Sequence, residues 1–354
     1  MSHQQQTWMH DRKRLTTPWL TTVAALLGAV ALCGCEFPPQ IDTPQLNANA
    51  DENLQTFVDS GSCVPGMYPG NVGSAGDKKF TRQCIVQGTV YIDGSPQGLL
   101  QLSHVQEVLG FIYLGGGVDL AVALPDLKKS SWINASGYTG TKLTAPAKLV
   151  AMMGLIVEKN GHLQSISGFD SVQTLQNLRL TANTKLTDVS GLSQITVLGG
   201  LHIENNPKLT QFSALANLTK TGTLLLKANP ALANVPNFAA LTQVDTELAV
   251  IDMKVAKLTS FSALTSVPTL KLQNMPNLTE LAFAQLAAVN VLWFHQVPAL
   301  QTLSGLPKLV VSKQVSMCVE GVPYAEVASF AAQHTPAVPQ AQWTNCTGWV
   351  ACKN

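Results

Sequence analysis

A chain of 354 residues has room for one large domain or two ordinary ones. Its 22 basic and 21 acidic residues nearly cancel, and charged residues make up only 12% of the chain, which argues against a polyanion-binding protein and against nucleic acid as a partner. Aromatics at 6%, with 26 Gly and 19 Pro, favour many short strands and turns and disfavour a helical bundle or coiled coil.

Arg12, Lys13 and Arg14 precede an apolar run from Trp19 to Leu32 that closes on small residues and a cysteine. A basic patch followed by a short apolar core is a secretory signal, and the run is too short to cross a bilayer as a helix. Leu32-Cys33-Gly34-Cys35 resembles the bacterial lipobox, with Cys35 as the acylated first residue of the processed chain. The competing reading is an ordinary signal peptide with incidental cysteines. The lipobox resemblance implies a signal peptide over 1–34 and a membrane attachment through N-terminal lipid. Glu36 follows the cysteine where an inner-membrane lipoprotein commonly carries aspartate, so the same resemblance implies the outer membrane or cell surface. Residues 35–60, with Pro38, Pro39 and Pro44 among Asn, Gln and Asp, lack apolar periodicity and read as a flexible tether.

Five further cysteines, Cys63, Cys84, Cys318, Cys346 and Cys352, cluster towards the two ends of the region that follows. An exported protein can oxidise them. A Cys63–Cys84 bridge would close a loop of about 20 residues, and Cys318 is expected to pair with Cys346 rather than Cys352. No Cys/His grouping with zinc spacing occurs.

Asn160, Asn183, Asn206 and Asn229 recur at intervals of 23 residues, and Leu163, Leu186, Leu209 and Leu232 keep the same step. Before each asparagine stands an alternating apolar pair, from Leu155 and Val157 to Leu224 and Leu226, which predicts a short strand with one buried face. After each leucine comes an apolar, turn-prone stretch such as Ile166-Ser167-Gly168-Phe169. The strand signal runs from Val90 and Ile92 to Leu292 and Phe294 with a further candidate at Val310, while Met275 and Val297 replace the asparagine. Such units bury their apolar side only by stacking. The expected fold is therefore an all-β solenoid, a right-handed parallel β-helix of about ten coils of 20–26 residues over 61–317. Residues 318–354 form a C-terminal cap, with a helix around Val327, Phe330 and Ala331 closing the last coil. The asparagines belong at the turn that leaves each strand, as a structural ladder pairing backbone groups.

The leucine three positions after each asparagine, as in Asn183-Thr184-Lys185-Leu186, resembles the receptor L-domain more than ordinary leucine-rich repeats. So do the opening Cys84-Ile85-Val86-Gln87-Gly88-Thr89-Val90-Tyr91-Ile92, the stretch from Leu102 to Ile112, and the turn Leu124-Pro125-Asp126-Leu127. This resemblance, over roughly Cys63 to Cys318, implies a leucine-rich β-helix used for binding. The chain departs from it in an irregular stretch from Lys128 to Ala147 and an insertion from Met253 to Ala256.

No phosphate-binding loop, zinc-protease helix or nucleophile elbow is present. Gly115-Gly116-Gly117 reads as a turn. His202 with Glu204, and Glu158 with Arg179, could be imagined as an acid-base or metal cluster, but cross-strand charge pairs on a solvated face explain them better. The residues between the paired apolar positions predict one strip along the outer face of the sheet: Tyr91, Tyr113, Asn134, Ile156, Arg179, His202, Leu225, Ala249, Lys271 and Trp293. Within it Tyr91, Tyr113, Arg179, His202, Lys271 and Trp293 are the candidate binding residues. The expected function is a non-catalytic envelope lipoprotein binding a protein or glycan, with no cofactor and no metal. A structural envelope protein without a specific ligand is the alternative, and an enzyme ranks third because a packed solenoid leaves no obvious pocket.

Overall fold

The computed structural model describes residues 63–334, apart from 74–79, 81–82, 95–98, 100–101, 237 and 319–320. The chain separates into Met1–Asn49 and Ala50–Asn354, and every described residue belongs to the second unit. The expected lipidation site Cys35, the tether and Cys346 lie outside the described residues, as does the side chain of Cys318.

Longer and shorter strands are interspersed along the chain. The strands begin with β1 (Val64–Tyr68), β2 (Gln83–Val86), β3 (Val90–Ile92), β4 (Glu107–Leu114), β5 (Lys129–Asn134) and β6 (Lys142–Thr144). Next come β7 (Ala151–Glu158), β8 (Ser165–Ser167), β9 (Asn177–Thr181), β10 (Asp188–Val189), β11 (Val197–Glu204), β12 (Gln211–Phe212) and β13 (Lys220–Lys227). The series ends with β14 (Gln243–Ile251), β15 (Lys257–Leu258), β16 (Thr269–Gln273), β17 (Glu280–Leu281), β18 (Ala288–His295) and β19 (Val310–Cys318). Among the described residues α-helices are few: α1 (Leu120–Ala123) and α2 (Tyr324–His334).

The longer strands build one parallel sheet in the order β1-β2-β4-β5-β7-β9-β11-β13-β14-β16-β18-β19, with β3 pairing β4. The protein is an all-β parallel solenoid. Ten rungs fall on the expected strands from Val90 to Phe294; β1 adds a rung before them and β19 one after. Register follows the apolar pairs: Leu155, Leu178, Leu201, Leu224, Leu248, Leu270 and Leu292 lie opposite one another in succession. All seven are buried, and burying a leucine is worth about 1.5–3 kcal/mol. The last rung is keyed by Val315 rather than by the expected Val310, because Val315 pairs with Leu292.

The turn-prone stretches after the leucines hold a second sheet, in the order β12-β10-β8-β6, with β15 and β17 forming a separate pair. In the later coils Phe238, Phe261 and Phe283 stack in a buried column, centroids 5.7 and 5.6 Å apart. Two expected irregularities turn out to be regular. Residues 128–147 hold β5 and β6, and between them Tyr138 is buried with its hydroxyl donating to the Lys142 carbonyl at 2.8 Å. Burial, with Asp119 nearby, pushes that phenol up to about 12. The expected insertion at Met253 is the ladder position itself, since Met253 Sδ receives the Asn229 backbone N–H at 3.4 Å.

The ends are closed by different means. Cys63 and Cys84 form a disulfide at the first rungs. At the other end α2 presses Phe330 and Val327 on the core, and the Glu326 carboxylate accepts from Leu303 N–H at 2.7 Å and Thr302 hydroxyl at 2.8 Å.

Candidate interaction surface

The outer row of the long sheet is continuous in register from Tyr91 through Tyr113, Asn134, Ile156, Arg179, His202, Leu225, Ala249 and Lys271 to Trp293. Its exposure is uneven. Tyr91, Tyr113 and Arg179 are exposed, the other residues through Leu225 and the pair Lys271 and Trp293 are half-buried, and Ala249 is buried. The expectation of a uniformly exposed strip is therefore corrected: the methyl group of Ala249 lies in register between the longer side chains of Leu225 and Lys271.

The row divides into chemically distinct parts. At the first strands Tyr91 and Tyr113 stack with centroids 5.4 Å apart, and Phe111 stacks on Tyr113 at 5.7 Å and on Trp132 at 6.3 Å. Phe111 and Trp132 belong to the neighbouring outward row, two residues before Tyr113 and Asn134, and they were not among the expected site residues. The signal was present: outward positions recur every second residue along a strand, so the row beside the strip was readable from the same alternation. Gly154 makes room for this packing, since a Cβ there would lie 2.1 Å from the Trp132 ring.

In the middle, Arg179 Nε meets Glu158 at 2.6 Å, and His202 Nδ1 stands 3.8 Å from the Glu204 carboxylate. Burial holds His202 below the usual imidazole range, helped by Arg179 and opposed by Glu204. At the far end Lys271 Nζ lies 5.6 Å from the centroid of Trp293, which stacks on His295 at 4.5 Å. Burial, then Lys271, lowers the pKa of His295, and the Trp293 Nε1 is buried without a hydrogen-bond partner among the described residues.

The asparagines lie inside, not on the surface. Each is fully buried; Nδ2 of Asn160, Asn183 and Asn206 donates to Oδ1 of the next at 2.8, 3.0 and 3.2 Å. The same nitrogens, and that of Asn229, also reach backbone carbonyls of Ala135, Val157, Leu180 and Ile203. Just ahead of the ladder, Lys159, Ala182, Asn205 and Ala228 adopt the left-handed conformation, with φ between 52° and 57°.

No family model and no curated protein matches the chain.

Elsewhere, Asp126 joins neighbouring coils by accepting from Lys148 at 2.5 Å and meeting His104 at 3.1 Å, the Lys148 bond being the main reason its pKa is lowered. A depression of about 460 Å³ on the turns is lined by Ala182, Thr184, Asn205, Pro207, Ala228, Pro230 and Asp252, with Asp252 its one titratable group. Gly116, in the triple glycine, has φ 54°, and a Cβ there would lie 2.4 Å from the Asp93 carbonyl, as a tight turn requires. Among the described residues no three His, Cys, Asp or Glu side chains are grouped to hold a metal ion.

Proposed function

We propose that the protein is a non-catalytic binding protein of the cell envelope that recognises its partner through the outer face of the long sheet. The observation that carries this reading is the row itself. Aromatic, basic and apolar side chains stand on parallel rungs about 4.8 Å apart, locked in register by the buried leucines beneath. A preorganised face loses little side-chain freedom on association, and tryptophan, tyrosine and arginine are the side chains that most often carry interface energy.

Attachment to a membrane by lipid on Cys35 is supported by the basic patch, the apolar run and Leu32-Cys33-Gly34-Cys35. The spacing of the repeat supports grouping the body with receptor L-domain-like β-helices. Affinity capture from envelope extracts tests the reading. Capture should be lost in the double variant Arg179→Ala/Trp293→Ala or in Tyr91→Ala/Tyr113→Ala, and kept in Lys208→Ala on the turn edge. Equal capture by all of these folded variants overturns it.

A further inference from the structure

We infer that the aromatic end of this face, formed by Tyr91, Tyr113, Phe111 and Trp132, takes a neutral polysaccharide chain laid along the solenoid axis; the inference rests on the outer sheet face being the binding surface. Four rings on three neighbouring strands run as one series, with adjacent planes inclined by only 10° to 20°. Their centroids are 5.4–6.3 Å apart, more than the roughly 3.5–4.0 Å at which carbon surfaces touch. The rings are therefore slid past one another like shingles, and part of each face stays bare. Tyr91, Phe111 and Tyr113 keep 44%, 39% and 37% of their surface in solvent accordingly. A bare ring face carries partial negative charge and attracts weakly positive hydrogens. The C–H face of a pyranose ring presents such hydrogens, and a glycan chain presents one such face after another.

Charge points the same way. The charged residues of β3, β4 and β5, Glu107 and Lys129, pair with one another at 3.3 Å where β4 and β5 begin. Past that pair the exposed or half-buried side chains of these strands, Tyr91, Leu109, Phe111, Tyr113, Trp132 and Asn134 among them, are all neutral. The phenol hydroxyls of Tyr91 and Tyr113 make no hydrogen bond among the described residues, so they remain for a hydroxylated partner.

Two protein-like occupants fit less well. The backbone groups of β3, β4 and β5 are used in parallel pairing on this sheet, so an extended peptide finds no edge to join on its face. A second copy would need roughly 800 Å² per partner, whereas three strands by two outward rows cover an area on the order of 200 Å².

Calorimetric titration of the full chain with cellohexaose and with chitohexaose, using polygalacturonate as an anionic control, tests the inference. At least one neutral hexamer should bind, the anionic chain should not, and Phe111→Ala and Tyr91→Ala should each weaken binding about tenfold, as loss of a contact residue does. Both side chains are more than a third exposed, so the variants keep the fold; circular dichroism checks this. Failure of both hexamers to bind, or equal affinity in wild type and variants, overturns the inference. If the hexamers fail but Tyr91→Ala/Tyr113→Ala abolishes capture of a polypeptide or dissolves a dimer in sedimentation, the glycan is wrong while the binding face stands. Indifference of both titration and capture to these variants removes both readings.

Discussion

Ladder asparagines have unequal neighbours, and their substitutions should differ accordingly. Asn206 donates to Leu180 and Glu204 carbonyls and to Asn229, and its Oδ1 receives both the backbone N–H and Nδ2 of Asn183. Asn160 stands at the open end, where its Oδ1 is buried with no partner among the described residues. A buried group left unpaired costs about 1–3 kcal/mol. Asn206→Ala should therefore lower the unfolding free energy by at least about 2 kcal/mol and by clearly more than Asn160→Ala, as urea midpoints would register; equal losses would mean that the ladder does not act as a chain. The constant step of 23 residues makes the ladder legible in the sequence itself. Its left-handed partners were not legible, because Lys159, Ala182 and Ala228 carry no signature of that conformation. Position in the coil imposes it, against an intrinsic cost of roughly 1–2 kcal/mol per residue. The imidazoles supply a pH test with a definite sign. His202 and His295 both titrate below 6.5 in the folded chain. On acidification the unfolded chain therefore takes up protons first, and stability falls as pH drops from about 6.5 to the lowered values, then levels off. Stability curves between roughly pH 5 and 8 should flatten in His202→Gln/His295→Gln; an unchanged slope would assign it to other groups.

Short strands escaped the sequence reading for a physical reason. β10, β12, β15 and β17 have two residues each, too few to display a period, and they form because the stacked coils place equivalent segments side by side. Most strands of the long sheet were legible because each carries two buried apolar residues flanking an outward one. That same frame hid Phe111 and Trp132, which stand outside the apolar pair and so outside the pattern being counted. In a solenoid each coil touches only its neighbours, so a staple acts locally. The Cys63–Cys84 bridge spans a sequence separation of 21, a loop for which the chain-entropy account gives about 3 kcal/mol. Reducing it should speed amide exchange in β2, β3 and β4 while leaving β13 and β14 unchanged. Uniform acceleration along the whole sheet would show that the bridge stabilises the entire solenoid rather than capping one end.

At the scale of the molecule, the proposed membrane attachment has its own test. Among the described residues no helix is long and apolar enough to cross a membrane. The proposed lipid attachment concerns the start of the chain, where Arg12, Lys13 and Arg14, the apolar run to Leu32 and the pair Cys33 and Cys35 stand in the order that a lipid-modified export signal uses. Acyl chains contribute about 0.8 kcal/mol per buried methylene, and stable anchoring needs more than one chain. Loss of the acceptor thiol should consequently be decisive and not graded. Cys35→Ser should shift the protein from the detergent-rich to the aqueous phase on phase partition, whereas Cys33→Ser, which leaves the acceptor in place, should not. If Cys35→Ser partitions like the wild type, the apolar run is either retained as an anchor or simply cleaved away, and the lipid reading falls. Folding supplies an internal control: the disulfide and the ladder lie at Cys63 and beyond, so a body that unfolds cooperatively in both variants confines any difference between them to the anchor.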